Sequence, residues 1–314
     1  MSTTDQRAAE AFPELRRLIS EQYSKSVSKT IFRRAQYEHK IIRSIRRVLR
    51  LRPDIAIRRT DKCKVFYIGK ADDFARKAEE YMLKTEAYQE ITTGHYPLAD
   101  NLHAVQTLLK YLLTSNGLTK KQSQMLSPNL NRLELAHYHG LPKPHKPGTP
   151  LRPIIASMHV PTTSLSKFLN DLLAPIFLKM ARETTFISGI DVVRKLEKYA
   201  ADGHLTSTTK FITADVTDLY TMIPRQGALD ALARFCIKHS NRGKIGTLSI
   251  NNIMKMARLI LDTNCFVYNN KYYRQVRGGA MGSAFTQVLA NIYMLDWEDE
   301  LIQHQTAKNE IYGR

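Results

Sequence analysis

Phe211-Ile-Thr-Ala-Asp-Val-Thr-Asp-Leu-Tyr-Thr-Met-Ile-Pro224 decides how this chain is read. Phe211, Ile212 and Val216 predict a β-strand, because aromatic and β-branched side chains suit a pleated, half-buried surface. Asp215 stands at the strand exit, Tyr220 follows five residues later, and Pro224 breaks the run into a helix. A carboxylate at a strand exit is a common way to hold a divalent metal beside a substrate phosphate. Asp218 is close in sequence but need not share a face with Asp215.

Two further segments stand out on either side. Upstream, Leu141-Pro-Lys-Pro-His-Lys-Pro-Gly-Thr-Pro-Leu-Arg-Pro-Ile-Ile155 holds four prolines and a glycine between residues 142 and 150. It predicts a stiff turn that cannot be helix and that runs into a short strand at Ile154-Ile155. Lys143, Lys146 and Arg152 on such a loop suit a triphosphate, since rigid cations lose little entropy on binding. The same charges also suit an ordinary surface loop. Downstream, Arg277-Gly-Gly-Ala-Met-Gly-Ser-Ala-Phe-Thr-Gln-Val-Leu-Ala-Asn291 places Gly278, Gly279 and Gly282 before a helix over about 283–303. Glycines there let a flat ligand or a backbone approach closely. The pattern is neither GxGxxG nor Walker A.

Apolar periodicity predicts the remaining helices over about 73–90, 100–115, 162–181, 189–200, 225–239 and 249–262. Phe74, Ala78, Tyr81 and Met82 face inward on the first of these. Leu102, Val105, Leu108, Leu109 and Leu112 do so on the second, and Leu165, Phe168, Leu169, Leu172, Leu173 and Ile176 on the third. Val65–Ile68 reads as a strand closed by Gly69. Cys265–Tyr268 and Tyr272–Val276 read as a hairpin around Asn269-Asn270-Lys271. Trp297-Glu-Asp-Glu300 reads as a solvated acidic face.

The chain has 314 residues, enough for one large domain or two ordinary ones. Lys and Arg total 47 against 29 Asp and Glu, a formal charge of +18 that points to a polyanionic partner, most often nucleic acid. Ten of those cations fall between Arg33 and Arg59, with only Glu38 and Asp54 as acids. Ile41, Ile45, Val48 and Leu49 form an apolar helical stripe ended by Pro53. Arg43, Arg46, Arg47 and Arg50 occupy another face, where they can track phosphates. An acidic membrane surface is the weaker reading of the same helix. Cys63, Cys236 and Cys265 form no CxxC pair, which argues for a reducing compartment and against zinc. His137, His139 and His145 cluster without acidic or thiol partners and read as loop or surface histidines. No apolar run spans a bilayer, and Met1-Ser-Thr-Thr-Asp-Gln lacks a signal-peptide core. The expected localisation is intracellular and soluble, in nucleus or cytoplasm.

Taken together, the Leu-Arg-Pro-Ile loop, the Asp-x-x-x-x-Tyr segment and the Gly-Gly-x-Met-Gly-Ser turn leading to Ala-Asn resemble the reverse transcriptases, most closely those of Penelope-like retroelements. The likeness covers residues 60–314. It implies an α+β right-hand polymerase fold: fingers and the start of a palm over 60–210, a partial palm over 211–314, and a small antiparallel sheet backed by helices. Residues 1–59 form a basic helical extension outside it. The resemblance implies RNA-directed DNA polymerase activity, with an RNA template, a DNA primer and dNTP as partners, two Mg²⁺ ions, and no membrane. Asp215 matches the motif A carboxylate that ligates both metals, with the Val216 carbonyl on the nucleotide-bound one. Tyr220 matches the aromatic gate against a 2′-hydroxyl. Arg152 matches the motif 2 arginine on the triphosphate, joined by Lys143 and Lys146. Gly279, Gly282 and Ser283 match motif B, and Asp61-Lys62 looks like the first fingers motif. Ala284 departs from the proline many relatives carry.

Motif C, Tyr-x-Asp-Asp, supplies the second metal-binding carboxylate in that family and often follows a Tyr-Gly-Arg like that at 312–314. It is not in this sequence, and neither is a thumb. The expectation is therefore a truncated polymerase domain that does not polymerise as it stands. The alternative is a non-catalytic nucleic-acid-binding remnant. The sequence leaves the oligomeric state open.

Overall fold

The computed structural model describes residues 13–25, 27–62 and 65–314; Met1-Ser-Thr-Thr-Asp-Gln and Cys63 lie outside them. The chain divides into two units. The first ends at Ile57 and takes in Ile68–Ala71; the second holds Arg58–Tyr67 and Asp72–Arg314.

The first unit contains α1 (Pro13–Ser24) and α2 (Lys29–Leu51). Ser28 caps α2 by accepting the Ile31 N–H at 3.4 Å. After its last turn Arg52 chelates Asp54 with two hydrogen bonds of 2.8 and 2.7 Å, and Pro53 blocks continuation. At about 100° per residue, Ile31, Ile41, Ile42, Ile45 and Val48 fall on one side of α2, while Arg43, Arg46, Arg47 and Arg50 fall on the other. β1 (Ile55–Arg59) and β2 (Phe66–Lys70) pair as a two-stranded sheet.

In the second unit, α3 (Ala71–Thr85) buries Phe74, Ala78 and Met82, as its periodicity predicts. It stops short of residue 90. Glu86 takes a left-handed φ of 49°, and β3 (Tyr88–Glu90) peels off to pair with β9. Then come α4 (Leu98–Thr114), α5 (Lys120–Leu126), β4 (Ala136–Pro142), β5 (Leu151–Ala156), α6 (Thr163–Met180), α7 (Gly189–Ala201), α8 (Leu219–Met222) and α9 (Arg225–His239). The last elements are β6 (Lys244–Ile245), β7 (Leu248–Ser249), α10 (Ile250–Asp262), β8 (Cys265–Tyr268), β9 (Lys271–Gln275) and α11 (Ala284–Ala307). The fold is α+β.

The main sheet runs β3-β9-β8-β4-β5. It is mixed: β4 and β8 pair in parallel, the other neighbours antiparallel. The all-antiparallel sheet expected from the sequence is corrected on this point. β8 and β9 do form the predicted hairpin, with Asn269 and Asn270 both at positive φ as a two-residue turn requires. Phe266 is fully buried on one sheet face, 5.3 Å from the ring of Tyr88 and 5.5 Å from that of Tyr273.

The hydrophobic core is helical. Val105, Leu109 and Leu112 of α4 meet Leu165, Leu169 and Leu173 of α6, Leu232 of α9, Ile253 and Met256 of α10, and Phe285 of α11. Cys236 and Cys265 are both buried free thiols. The acidic run on α11 is not wholly solvated. Glu298 follows half-buried Leu295 by three residues on the inner side; it is only 3% exposed and pairs with Arg314 at 3.2 Å. Among the described residues, no helix is long and apolar enough to cross a membrane.

Candidate nucleotide site

The proline-rich loop closes the β4–β5 hairpin. The Lys143 N–H reaches the Pro150 carbonyl at 2.9 Å, and the Lys146 N–H reaches the Lys143 carbonyl at 3.0 Å. Prolines limit the open conformations of this loop, so its cations are held in place by the backbone. Arg152 sits opposite Leu141 in the β4–β5 register. Its guanidinium Nη1 lies 3.2 Å from Asp61 Oδ1; the Asp61 side chain is 5% exposed and that of Arg152 41%. The Asp61 N–H donates to the Pro142 carbonyl at 3.1 Å, which ties this turn to the end of β4. A carboxylate this buried keeps its arginine, because separating them would strand a charge. The outer edge of the guanidinium stays open. Burial, and then Arg152, hold the Lys143 ammonium below its usual pKa. Lys146 is exposed at the loop tip.

The segment before Tyr220 differs from its sequence reading. Residues 211–216 form no strand, and Phe211, Ile212 and Val216 are 68%, 89% and 50% exposed. Strand-forming side chains do not make a strand without a partner for the backbone ladder, and no described strand pairs with this one. Asp215 and Val216 are therefore placed on an exposed, unpaired run. Regular structure resumes at Asp218, which turns through a left-handed φ of 51° into the single turn of α8. Thr221 Oγ1 donates to the Asp218 carbonyl at 3.0 Å and lies 2.8 Å from the Tyr81 hydroxyl. Burial pushes the Tyr81 phenol up to about 12. Tyr220 is half-buried.

The glycine turn fastens these parts together. The Gly279 N–H donates to the Tyr220 carbonyl at 2.9 Å and the Gly278 N–H to the Ile223 carbonyl at 3.0 Å. On the other side the Ile155 N–H donates to the Met281 carbonyl at 3.2 Å. A Cβ on Gly282 would collide with the Ile155 carbonyl oxygen. Ser283, just before α11, shares a 2.7 Å hydrogen bond with Ser166 of α6, whose Oγ also accepts the Phe285 N–H at 3.0 Å. Arg225 Nε donates to the Gly278 carbonyl at 2.9 Å, and its Nη2 donates to the Gln275 carbonyl. The strand of Arg152, the turn of Tyr220 and the turn of Gly279, Gly282 and Ser283 thus form one hydrogen-bonded unit.

Asp215 is not built into that unit. Among the described residues, no group of three or more His, Cys, Asp or Glu is placed to hold a metal. Arg43, Arg46, Arg47 and Arg50 are exposed on α2, in the first unit. His137 and His139 project from alternate positions of β4 into solvent. Sequence reasoning assigned no role to Ser166 or Arg225, and it read Asp61 as part of the first fingers motif without its Arg152 partner. Each acts through a partner at least 50 positions away, so no local pattern marks it. A cavity of about 460 Å³ lies beside Ser166, Gly282 and Ser283.

No family model and no curated protein matches the chain. Solved telomerases align with part of it. They include apo telomerase from Candida tropicalis truncated from its C-terminal domain, with 11% identity and a TM-score of 0.47 over 80% of this chain and 49% of that one. Telomerase from Candida albicans in complex with the TWJ fragment of telomeric RNA aligns at 11% identity and TM-score 0.49, over 83% and 44%. Apo telomerase from Candida tropicalis aligns at 9% and 0.48, over 90% and 50%. The chain spans about half the length of these structures, and likeness at this level carries no weight for family or function.

Proposed function

We propose that this chain is a reverse transcriptase domain of a retroelement, most like the Penelope type, that binds a deoxynucleoside triphosphate. One observation carries the reading: three segments far apart in sequence, each bearing the residues such a site needs, are joined by the Tyr220–Gly279 and Ile155–Met281 hydrogen bonds. In this reading Arg152 and Lys143 grip the triphosphate and Lys146 adds charge at the rim. The Tyr220 ring lies under the sugar, and the glycine turn admits the base. Nucleotidyl transfer by two Mg²⁺ ions roughly 3.5–4 Å apart would activate the primer hydroxyl and hold the pyrophosphate. Asp215 alone does not make that site, so the residues present fit binding better than turnover. RNA template and DNA primer are the proposed polymeric partners, engaged in part by the α2 arginines.

Calorimetric titration of dNTP and of the matching ribonucleotide into the full chain tests this. Wild type is expected to prefer dNTP, Arg152→Ala to bind it about ten- to a hundredfold more weakly, and Tyr220→Ala to lose the sugar preference. No binding by wild type, or equal binding by Arg152→Ala, would refute the site. Primer extension with Mg²⁺ and four dNTPs is expected to give no product; Asp215-dependent incorporation would overturn the claim that this polypeptide only binds.

A further inference from the structure

One face of the main sheet carries Arg152 near its β5 edge, and by the β4–β5 register His139 and His137 lie on the same side, farther from the proline-rich loop. Alternation along β9 sends Tyr273 inward and Tyr272 to the opposite side. The register pairs Tyr272 with Val267, and Val267 with His137. Tyr272, Val267 and His137 therefore form one row across three strands, with His139 two residues along on the same face. The ring of Tyr96, from the loop before α4, stands 5.5 Å from that of Tyr272 at 63°. Tyr96 is 46% exposed, Tyr272 half-buried, and His137, His139 and Arg274 exposed. At its other end this face is closed, since Cys265 there is 2% exposed. What stays open is a shelf of two tyrosine rings beside imidazoles, with a guanidinium at its margin.

Phenol rings this accessible, on a chain of charge +18, match a polyanion whose monomers carry flat rings. The imidazoles narrow the match. Burial, then Arg58 and His137, hold His139 below its usual pKa. A neutral imidazole is a poor phosphate ligand but offers a nitrogen acceptor to a sugar hydroxyl. We propose that this sheet face binds single-stranded RNA, with Tyr96 and Tyr272 stacking on bases, His137 and His139 facing ribose hydroxyls, and Arg274 meeting a phosphate. Arg152 lies on the same face, but the inference is tested separately from the nucleotide site, because it rests on Tyr96 and Tyr272 and needs neither Arg152 nor Tyr220.

Fluorescence polarisation of a labelled oligouridylate of about 12 nucleotides with the full chain tests it, at low and at high salt and without nucleotide. Tyr96→Ala and Tyr272→Ala are each expected to weaken binding about tenfold at both salt concentrations, because stacking resists salt while phosphate contacts do not. Tyr272→Phe keeps a ring and should bind like wild type. Arg274→Gln should lower only the salt-sensitive part. Tyr96 lies on an exposed loop, so its variant carries the test if Tyr272→Ala misfolds. Alanine variants that bind like wild type would overturn the proposal. Equal, tyrosine-dependent binding of oligothymidylate would overturn its assignment to RNA.

Discussion

Gly278→Ala is expected to destabilise the protein by about 3 kcal/mol or more, seen as a drop in melting temperature of roughly 6–12 °C. Two effects combine. Gly278 has a φ of +57°, where a Cβ is strained against its own backbone at a cost of about 1–2 kcal/mol. That Cβ would also collide with the Tyr220 carbonyl oxygen and the backbone of Thr221, neither of which can swing aside as a flexible side chain could. Gly148 is the control. Its φ is +72°, but a Cβ there meets nothing within 4 Å, so Gly148→Ala should cost only the strain, about 1 kcal/mol. Equal losses for the two variants would show that the glycine turn does not bear on Tyr220. If the contact is as described, Gly278→Ala should also weaken dNTP binding, by displacing the Tyr220 ring.

Phe285→Ala is expected to cost about 3–5 kcal/mol, read as a lower urea midpoint at unchanged slope. Phe285 is fully buried, and its N–H is held by Ser166 at the first turn of α11. Truncation leaves a void that the helices packed on α11, α6 and α9, can only partly fill. Phe211→Ala removes the same atoms from a residue that is 68% exposed and should change stability by no more than about 0.5 kcal/mol. A large effect at Phe211 would mean that its segment is packed against something in solution.

The contrast between these two phenylalanines shows what the sequence could and could not say. Helix signals are local, so the stripes Val105–Leu109–Leu112 and Leu165–Leu169–Leu173 were legible from spacing alone and are buried as expected. The β8–β9 hairpin was equally legible, because a two-residue asparagine turn pairs strands that are neighbours in sequence. Residues 211–216 carry the same kind of strand signal, yet a strand also needs a partner, and that information is not local. The parallel pairing of β4 with β8, more than 120 residues apart, was invisible for the same reason. At the candidate site, Arg152, Tyr220 and the glycines were singled out by residue type. Their fastening to one another, the Asp61–Arg152 ion pair, and the supports Ser166 and Arg225 came only with the fold.

The unpaired run before Tyr220 has a thermodynamic consequence. Tyr220 is held from behind by Gly279, whereas residues 211–216 make no backbone ladder. Any ligand or partner that must fix these six residues before it can use Asp215 gives up conformational entropy worth at most on the order of 6–12 kcal/mol, at about 1–2 kcal/mol per residue. Binding that involves only the fastened turns escapes that loss. Whatever engages Asp215 must therefore first fix the run that carries it, a cost that the turns fastened around Tyr220 and Gly279 do not bear.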